Sequence, residues 1–211
     1  MKKLIIIGAR GFGRELYSHA QKSIGYNIDF TIKGFLDDNS QILDDKCDYP
    51  PILGNVEDYI PEIDDVFIVA LGDSFYRKKY VNLILNKKGN FISLIHETAY
   101  IGKNVEFGTG IVICPYTIIT NDIKIGNHVQ LNLFTTIGHD CVIGDFFTTA
   151  PSVNISGNCT FNECIYFGTN SAARQGVTIC DNVTIGMGGV VIKNISESGV
   201  YIGNPLYKLE K

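Results

Sequence analysis

Written in sixes from Ile101, residues 101–196 run IGKNVE, FGTGIV, ICPYTI, ITNDIK, IGNHVQ, LNLFTT, IGHDCV, IGDFFT, TAPSVN, ISGNCT, FNECIY, FGTNSA, ARQGVT, ICDNVT, IGMGGV, VIKNIS. The first position is aliphatic or aromatic in all but two of the sixteen hexads, Thr149 and Ala173 being the exceptions. The fifth position is mostly small or β-branched, as in Val105, Thr117, Val129, Thr135, Cys141, Val153 and Val177. Gly, Asn and Asp crowd the positions between, where turns with φ > 0 need them. A period of six fits neither an amphipathic helix nor a β-sandwich, whose strands alternate every second residue. It fits short strands separated by turns, with first and fifth side chains pointing inward. Three hexads make one triangular turn, so residues eighteen apart stack at the strand spacing of about 4.8 Å. The pattern predicts a β-solenoid.

Outside this run, residues 3–8 (KLIIIG) predict a buried strand that turns through GARGFGRE into a helix reaching about Ile24. The apolar run is too short for a signal peptide and leads into a Gly-rich turn. Gly8, Gly11 and Gly13 give G-x-x-G-x-G, a turn that lets backbone approach a phosphate and aims a helix N-terminus at it. Alone, the motif describes a tight strand–helix turn as readily as a phosphate site. A second strand, TIKGFLDD, ends in Asp37 and Asp38; a third, DDVFIVALGD, precedes a helix carrying Arg77, Lys78 and Lys79; a fourth, NFISLIH, delivers His96. Strands alternating with helices predict a small α/β domain over 1–98, half the size of a full dinucleotide fold, followed by the solenoid domain over 99–211.

Composition narrows the function. A net charge of −4 gives no basic field to hold nucleic acid or an anionic membrane. No stretch is long enough to insert in a bilayer. Six Cys lie without zinc-ligand spacing, and Cys141 and Cys159 fall at inward fifth positions as small hydrophobes, which fits a reducing cytoplasm.

The order of parts, through GARGFG, the FLDD corner, ALGDSFYRKK, the LIHETAYIG junction and IGHDCVIG, resembles the PglD/NeuD-type bacterial nucleotide-sugar acetyltransferases along essentially the whole chain. These include enzymes of the bacillosamine and perosamine type and the sialic-acid O-acetyltransferases. The resemblance implies a Rossmann-like N-terminal domain and a left-handed parallel β-helix. It further implies a homotrimer, a nucleotide-linked amino-sugar as acceptor and acetyl-CoA as donor. It places Gly8, Arg10, Gly11 and Gly13 near the phosphates, and Asp37 and Asp38 near the base or ribose. His139 becomes the general base, a role imidazole fills near neutral pH. Asp140 orients it, Asn132 contacts the acceptor sugar, and the N–H of Gly157 serves the oxyanion. Gly168, Ala173, Gly186 and Gly188 line the path of the coenzyme arm, with Arg174 and Lys193 as partners for its phosphates. Phe12 and Thr148 stand where relatives carry His.

Several alternatives remain at this stage. His19, His96 and His128 read as structural or surface residues, and Asp140 is also a turn former. No metal is expected, because the paired His of solenoid carbonic anhydrases are missing. Cys141 points inward, away from any substrate. O-acetylation of a sugar, or a silent nucleotide-sugar-binding solenoid, are the rival functions.

Overall fold

The computed structural model describes residues 1–210 and divides into two compact units, Met1–Glu97 and Thr98–Lys211. In the first unit, β1 (Lys2–Ile7), β2 (Phe30–Leu36), β3 (Asp65–Val69) and β4 (Asn90–Phe91) form one parallel sheet. Its order is β2-β1-β3-β4. Two helices accompany it, α1 (Gly11–Ala20) and α2 (Ser74–Asn86). Leu4, Ile5, Ile6, Phe35, Phe67 and Ile68 are fully buried, with Leu16 of α1 and Val81 and Ile84 of α2 among the side chains that complete this core. Each such burial contributes about 1.5–3 kcal/mol.

Two sequence expectations run too long here. The first helix ends at Ala20, not Ile24: a turn follows, and residues 22–24 hydrogen-bond to residues 95–97 instead. The fourth strand keeps only Asn90–Phe91 in the sheet, because the chain leaves it after Ile92 donates to the Phe67 carbonyl. That departure brings His96 beside His19, their rings 5.9 Å apart and edge to face.

Both imidazoles are held below their ordinary value, chiefly by burial, and His19 also by His96. His19 Nε2 is buried without a hydrogen-bond partner. A neutral folded imidazole contributes stability above the unfolded value near 6.5, and that stability is lost as pH falls below it. Thermal melts are therefore expected to show Tm falling between pH 7.5 and 5.5. His19→Gln should flatten that slope, and an equal slope in the variant would reject the pair as its source.

The second unit is a solenoid of parallel strands in three sheets, with successive strands visiting the sheets in turn. Strands pair eighteen residues apart, as Thr136 does with Ile118 and Asn154, and Val142 with Lys124 and Thr160. First and fifth positions fill the interior, including a cluster of Phe147, Phe161 and Phe167 with centroids 5.4–5.7 Å apart. Every fourth position from Asn104 to Gly188 has positive φ. That conformation costs ordinary residues about 1–2 kcal/mol, and none of these positions is β-branched. Tyr116, His128, Phe134 and Phe146 nevertheless occupy it and stack in pairs, Tyr116 on Phe134 and His128 on Phe146, each at 5.3 Å. His128, expected at the surface, is consequently only 7% exposed.

The hexad rhythm breaks at the end. Val183 pairs with Gly199 and Ile179 with Ile195, so the final coil is two residues short. The tail then returns antiparallel, Tyr201 opposite Lys208. A cavity of about 280 Å³ lies between residues 191–195 and this tail, with Lys193 in its lining.

Candidate active site

The two units carry separate candidate sites. In the first, β1 sits between β2 and β3, so the chain leaves it in one direction and later returns on the other side. Ligands of open parallel sheets bind outside the strand ends at such a reversal. A cavity of about 640 Å³ lies there, lined by Ile7, Gly8 and Arg10 at the end of β1, Leu36 to Asn39 at the end of β2, and Leu71 to Asp73 after β3. Tyr76 and Tyr80, one turn apart on α2, also line it.

The three glycines of the turn differ in what holds them. Gly8 has φ +97°, and its Cβ would meet the Ala70 carbonyl oxygen and the Leu71 side chain at 3.2 Å. A Cβ on Gly13 would stand 1.9 Å from the Gly8 carbonyl oxygen, so α1 can approach β1 only there. Gly11 has nothing within 4 Å and an ordinary φ, so packing does not require it. It opens α1, whose N-cap Arg10 makes no side-chain cap. The first turn of α1 is thereby left without a side-chain cap, a geometry that can accept an anion.

Asp37 and Asp38 behave differently from one another. Asp37 Oδ2 accepts from the Ala9 N–H at 2.9 Å and Oδ1 from the Asn39 N–H at 3.0 Å, so both its oxygens brace the turn. Asp38 accepts from the Tyr80 hydroxyl at 3.1 Å and otherwise faces solvent. The tyrosines were not singled out from sequence; their spacing of four along α2 was the available signal.

In the solenoid, His139 and Asp140 occupy the turn that follows the strand Thr136–Ile137. Asp140 takes the left-handed fourth position at φ 59°, which Asp tolerates, and its Oδ2 lies 2.6 Å from His139 Nδ1. A carboxylate only accepts, so Nδ1 carries the proton and Nε2 is left with the lone pair. Both side chains are 54% exposed. One coil on, Gly157 lies against the imidazole: its Cβ would stand 2.7 Å from Cε1 and 2.8 Å from Nε2. Elsewhere along this edge an Asn side chain caps the neighbouring coil, as Asn121 does for the Lys103 N–H at 2.8 Å. Gly157 cannot cap, and its own N–H finds no partner among the described residues. A base with an open lone pair beside a free N–H donor is the chemistry of acyl transfer.

Cys141 is 0% exposed and its thiol is pushed up by its hydrogen bond with Cys159 and by burial, which removes it as a nucleophile. Thr148 is buried as well. Among the described residues no group of three His, Cys, Asp or Glu could hold a metal ion. No described helix is long and apolar enough to cross a membrane.

Four of the remaining candidates lie on another edge of the solenoid. Asn132, Gly168, Gly186 and Gly188 occupy the turns that precede the sheet containing Thr136–Ile137, whereas His139, Gly157 and Arg174 follow it. Asn132 and His139 are seven positions apart in the chain, with the strand Thr136–Ile137 between their turns. Asn132 Oδ1 accepts from the Leu133 N–H at 2.7 Å. Gly168 and Gly186 have packing reasons, since their Cβ atoms would meet Met187 N at 2.6 Å and Ile202 Cγ2 at 2.8 Å. Gly188, at φ +66°, opens onto free space. Ala173 faces inward at 2% exposure, and its carbonyl accepts from the Ser156 N–H, so any approach there would be by backbone alone.

Comparison with known proteins now adds to the geometry. Residues 3–84 match the family model of the PglD N-terminal domain. WeeI from Acinetobacter baumannii AYE superposes with a TM-score of 0.86 at 28% identity, covering 99% of this chain and 100% of that one. Along nearly its whole length the chain is thus similar to WeeI, and its first unit matches the PglD N-terminal domain. The acetyltransferase domain of PglB from Neisseria gonorrhoeae FA1090, solved with acetyl coenzyme A, gives a TM-score of 0.86. It is 27% identical and covers 99% of both chains. GDP-perosamine N-acetyltransferase of Escherichia coli O157:H7 is 27% identical over 117 residues, 56% of this chain. The chain spans about half the length of that curated relative, 53%.

Proposed function

We propose that the protein transfers an acetyl group from acetyl-CoA to the amino group of a nucleotide-linked amino-deoxy sugar, with His139 as general base. The observation that carries this reading is the exposed His139–Asp140 pair backed by the bare face of Gly157. Acetyl-CoA supplies the activated acyl group. His139 Nε2 takes the proton from the attacking nitrogen, and Asp140 holds Nδ1 and balances the imidazolium charge. The Gly157 N–H donates to the carbonyl oxygen as negative charge gathers there, and the thiolate of the coenzyme leaves.

The first unit is read as a Rossmann-like cradle, with the pyrophosphate at Gly11 and the N-terminus of α1 and the nucleoside toward Asp38 and Tyr80. Names of relatives support this choice of acceptor: the Escherichia coli protein is a GDP-perosamine N-acetyltransferase. The solenoid is taken as left-handed and the protein as a cytoplasmic homotrimer. Two edges that cannot meet within one chain support assembly, because a neighbouring copy would bring the Gly188 edge of one chain to the His139 edge of the next. Tyr116, Ile118 and Phe134, exposed at 55%, 41% and 55%, give the unit an apolar strip beside the first of these edges.

Release of free thiol from acetyl-CoA, measured with UDP-, dTDP- and GDP-linked amino-sugars, tests the reading. Turnover with at least one is expected, and none with the free sugar. Gly11→Asp is expected to raise KM for that acceptor by about tenfold or more, since a carboxylate would repel phosphate at the helix N-terminus. Acetyl-CoA affinity should be unchanged in the same variant; a loss there instead would exchange the ligands between the units.

A further inference from the structure

We infer that Arg77 is a positioning residue for the nucleotide cavity, acting through the carbonyls of the loop that forms its wall; this rests on the nucleotide-sugar reading above. Arginine on a surface helix ordinarily keeps its charge in water. Arg77 is instead 1% exposed and among the largest fully buried side chains of the protein, although its neighbours Lys78 and Lys79 are exposed. Burying a guanidinium is costly unless its donors are used.

Those donors reach the turn between β3 and α2. Nη1 donates to the Leu71 carbonyl at 2.7 Å and to the Gly72 carbonyl at 3.2 Å. Leu71, Gly72 and Asp73 are the wall of the cavity opposite Asp37 and Asp38. Leu71 also touches the turn directly, its Cδ2 standing 3.2 Å from where a Gly8 Cβ would be. Asp73 fixes the far end of the loop by capping α2 through the N–H groups of Phe75 and Tyr76. The loop is thus pinned from below by Arg77 and from beyond by Asp73, and its inner side sets the width of the phosphate turn. One nitrogen, Nη1, meets both carbonyls at the reach of the arginine side chain; the shorter lysine stem can follow just part of that arrangement.

The test is calorimetric titration of the whole protein with UDP, GDP and dTDP, taking whichever wild type binds most tightly. Arg77→Met is expected to weaken that Kd by about tenfold or more, and Arg77→Lys by about threefold, since hydrogen bonds from a charged donor are lost in whole or part. Ile84→Ala, a core truncation of the same helix, should lower Tm yet leave the Kd within about twofold. Acetyl-CoA affinity should hold in all three. Equal nucleotide affinity in Arg77→Met and wild type, or equal weakening in Ile84→Ala, would overturn the positioning role. If Arg77→Met lost the circular-dichroism signature of α1 and α2, Arg77→Lys would decide, and an unchanged Kd there would reject the inference. Weakening by Gly11→Asp but not by either Arg77 variant would reject the inference and keep the cavity as the nucleotide site. Wild type that bound none of the three diphosphates, while still binding acetyl-CoA, would remove both.

Discussion

Replacing His139 by Ala is expected to lower kcat by about 10²–10⁴ while leaving KM for acetyl-CoA within about threefold. The side chain is 54% exposed, so its loss opens no cavity. Its ring rests on Gly157, and the backbone of the turn is held independently, with the Asn158 N–H donating to the His139 carbonyl at 2.7 Å. Any fall in rate therefore reports chemistry and not folding. Asp140→Asn keeps the left-handed turn, because Asn tolerates it, but withdraws the carboxylate from Nδ1. Steady-state kinetics on that variant should show a smaller fall than for His139→Ala. Near-normal turnover in His139→Ala would take the imidazole out of the mechanism.

Much of the solenoid was legible because its period is physical: inward side chains at first and fifth positions must be apolar or small in every coil. The side chains at fourth positions were less legible. Phe134 and His128 do not advertise a left-handed backbone, and only the stacking of Phe134 with Tyr116 and of His128 with Phe146 shows why they sit there. The short last coil was hidden because Val191 and Ile195 still satisfy the hexad pattern while Ile195 pairs two residues out of step. In the first unit the glycine spacing was visible, but not that Gly13 serves packing and Gly11 space. Asp37 and Asp38 looked equivalent as neighbours in sequence; hydrogen bonds to Ala9 and Asn39 separate them. Arg77 read only as one of three successive basic residues on a helix, since nothing in SFYRKK marks which one turns inward.

Gly188→Asp carries the second large expected effect. Its backbone, at φ +66°, is strained for most side chains but is the conformation that Asp122 and Asp140 adopt at the same position, and no atom lies within 4 Å of the new Cβ. The fold should therefore be unchanged. A carboxylate at that edge would crowd and repel a coenzyme that carries phosphates. KM for acetyl-CoA is expected to rise by about tenfold or more, with affinity for the nucleotide unaffected. An unchanged KM would move the coenzyme away from the edge that holds Gly168, Gly186 and Gly188.

The central claim is that His139 of one copy works against the Gly188 edge of another, and mixed oligomers test it most directly. His139→Ala and Gly188→Asp chains, each nearly inactive alone at low acetyl-CoA, would be co-expressed with different tags, and the mixed species purified through both. Some sites in that population pair an intact His139 with an intact Gly188 from different chains. In a trimer that holds both kinds of chain one of the three sites does so, about a third of all sites. Recovery of acetyl transfer to about that fraction of the wild-type rate is the predicted result. Activity no higher than that of the separate variants would contradict the account, because it would place both halves of the site on a single chain.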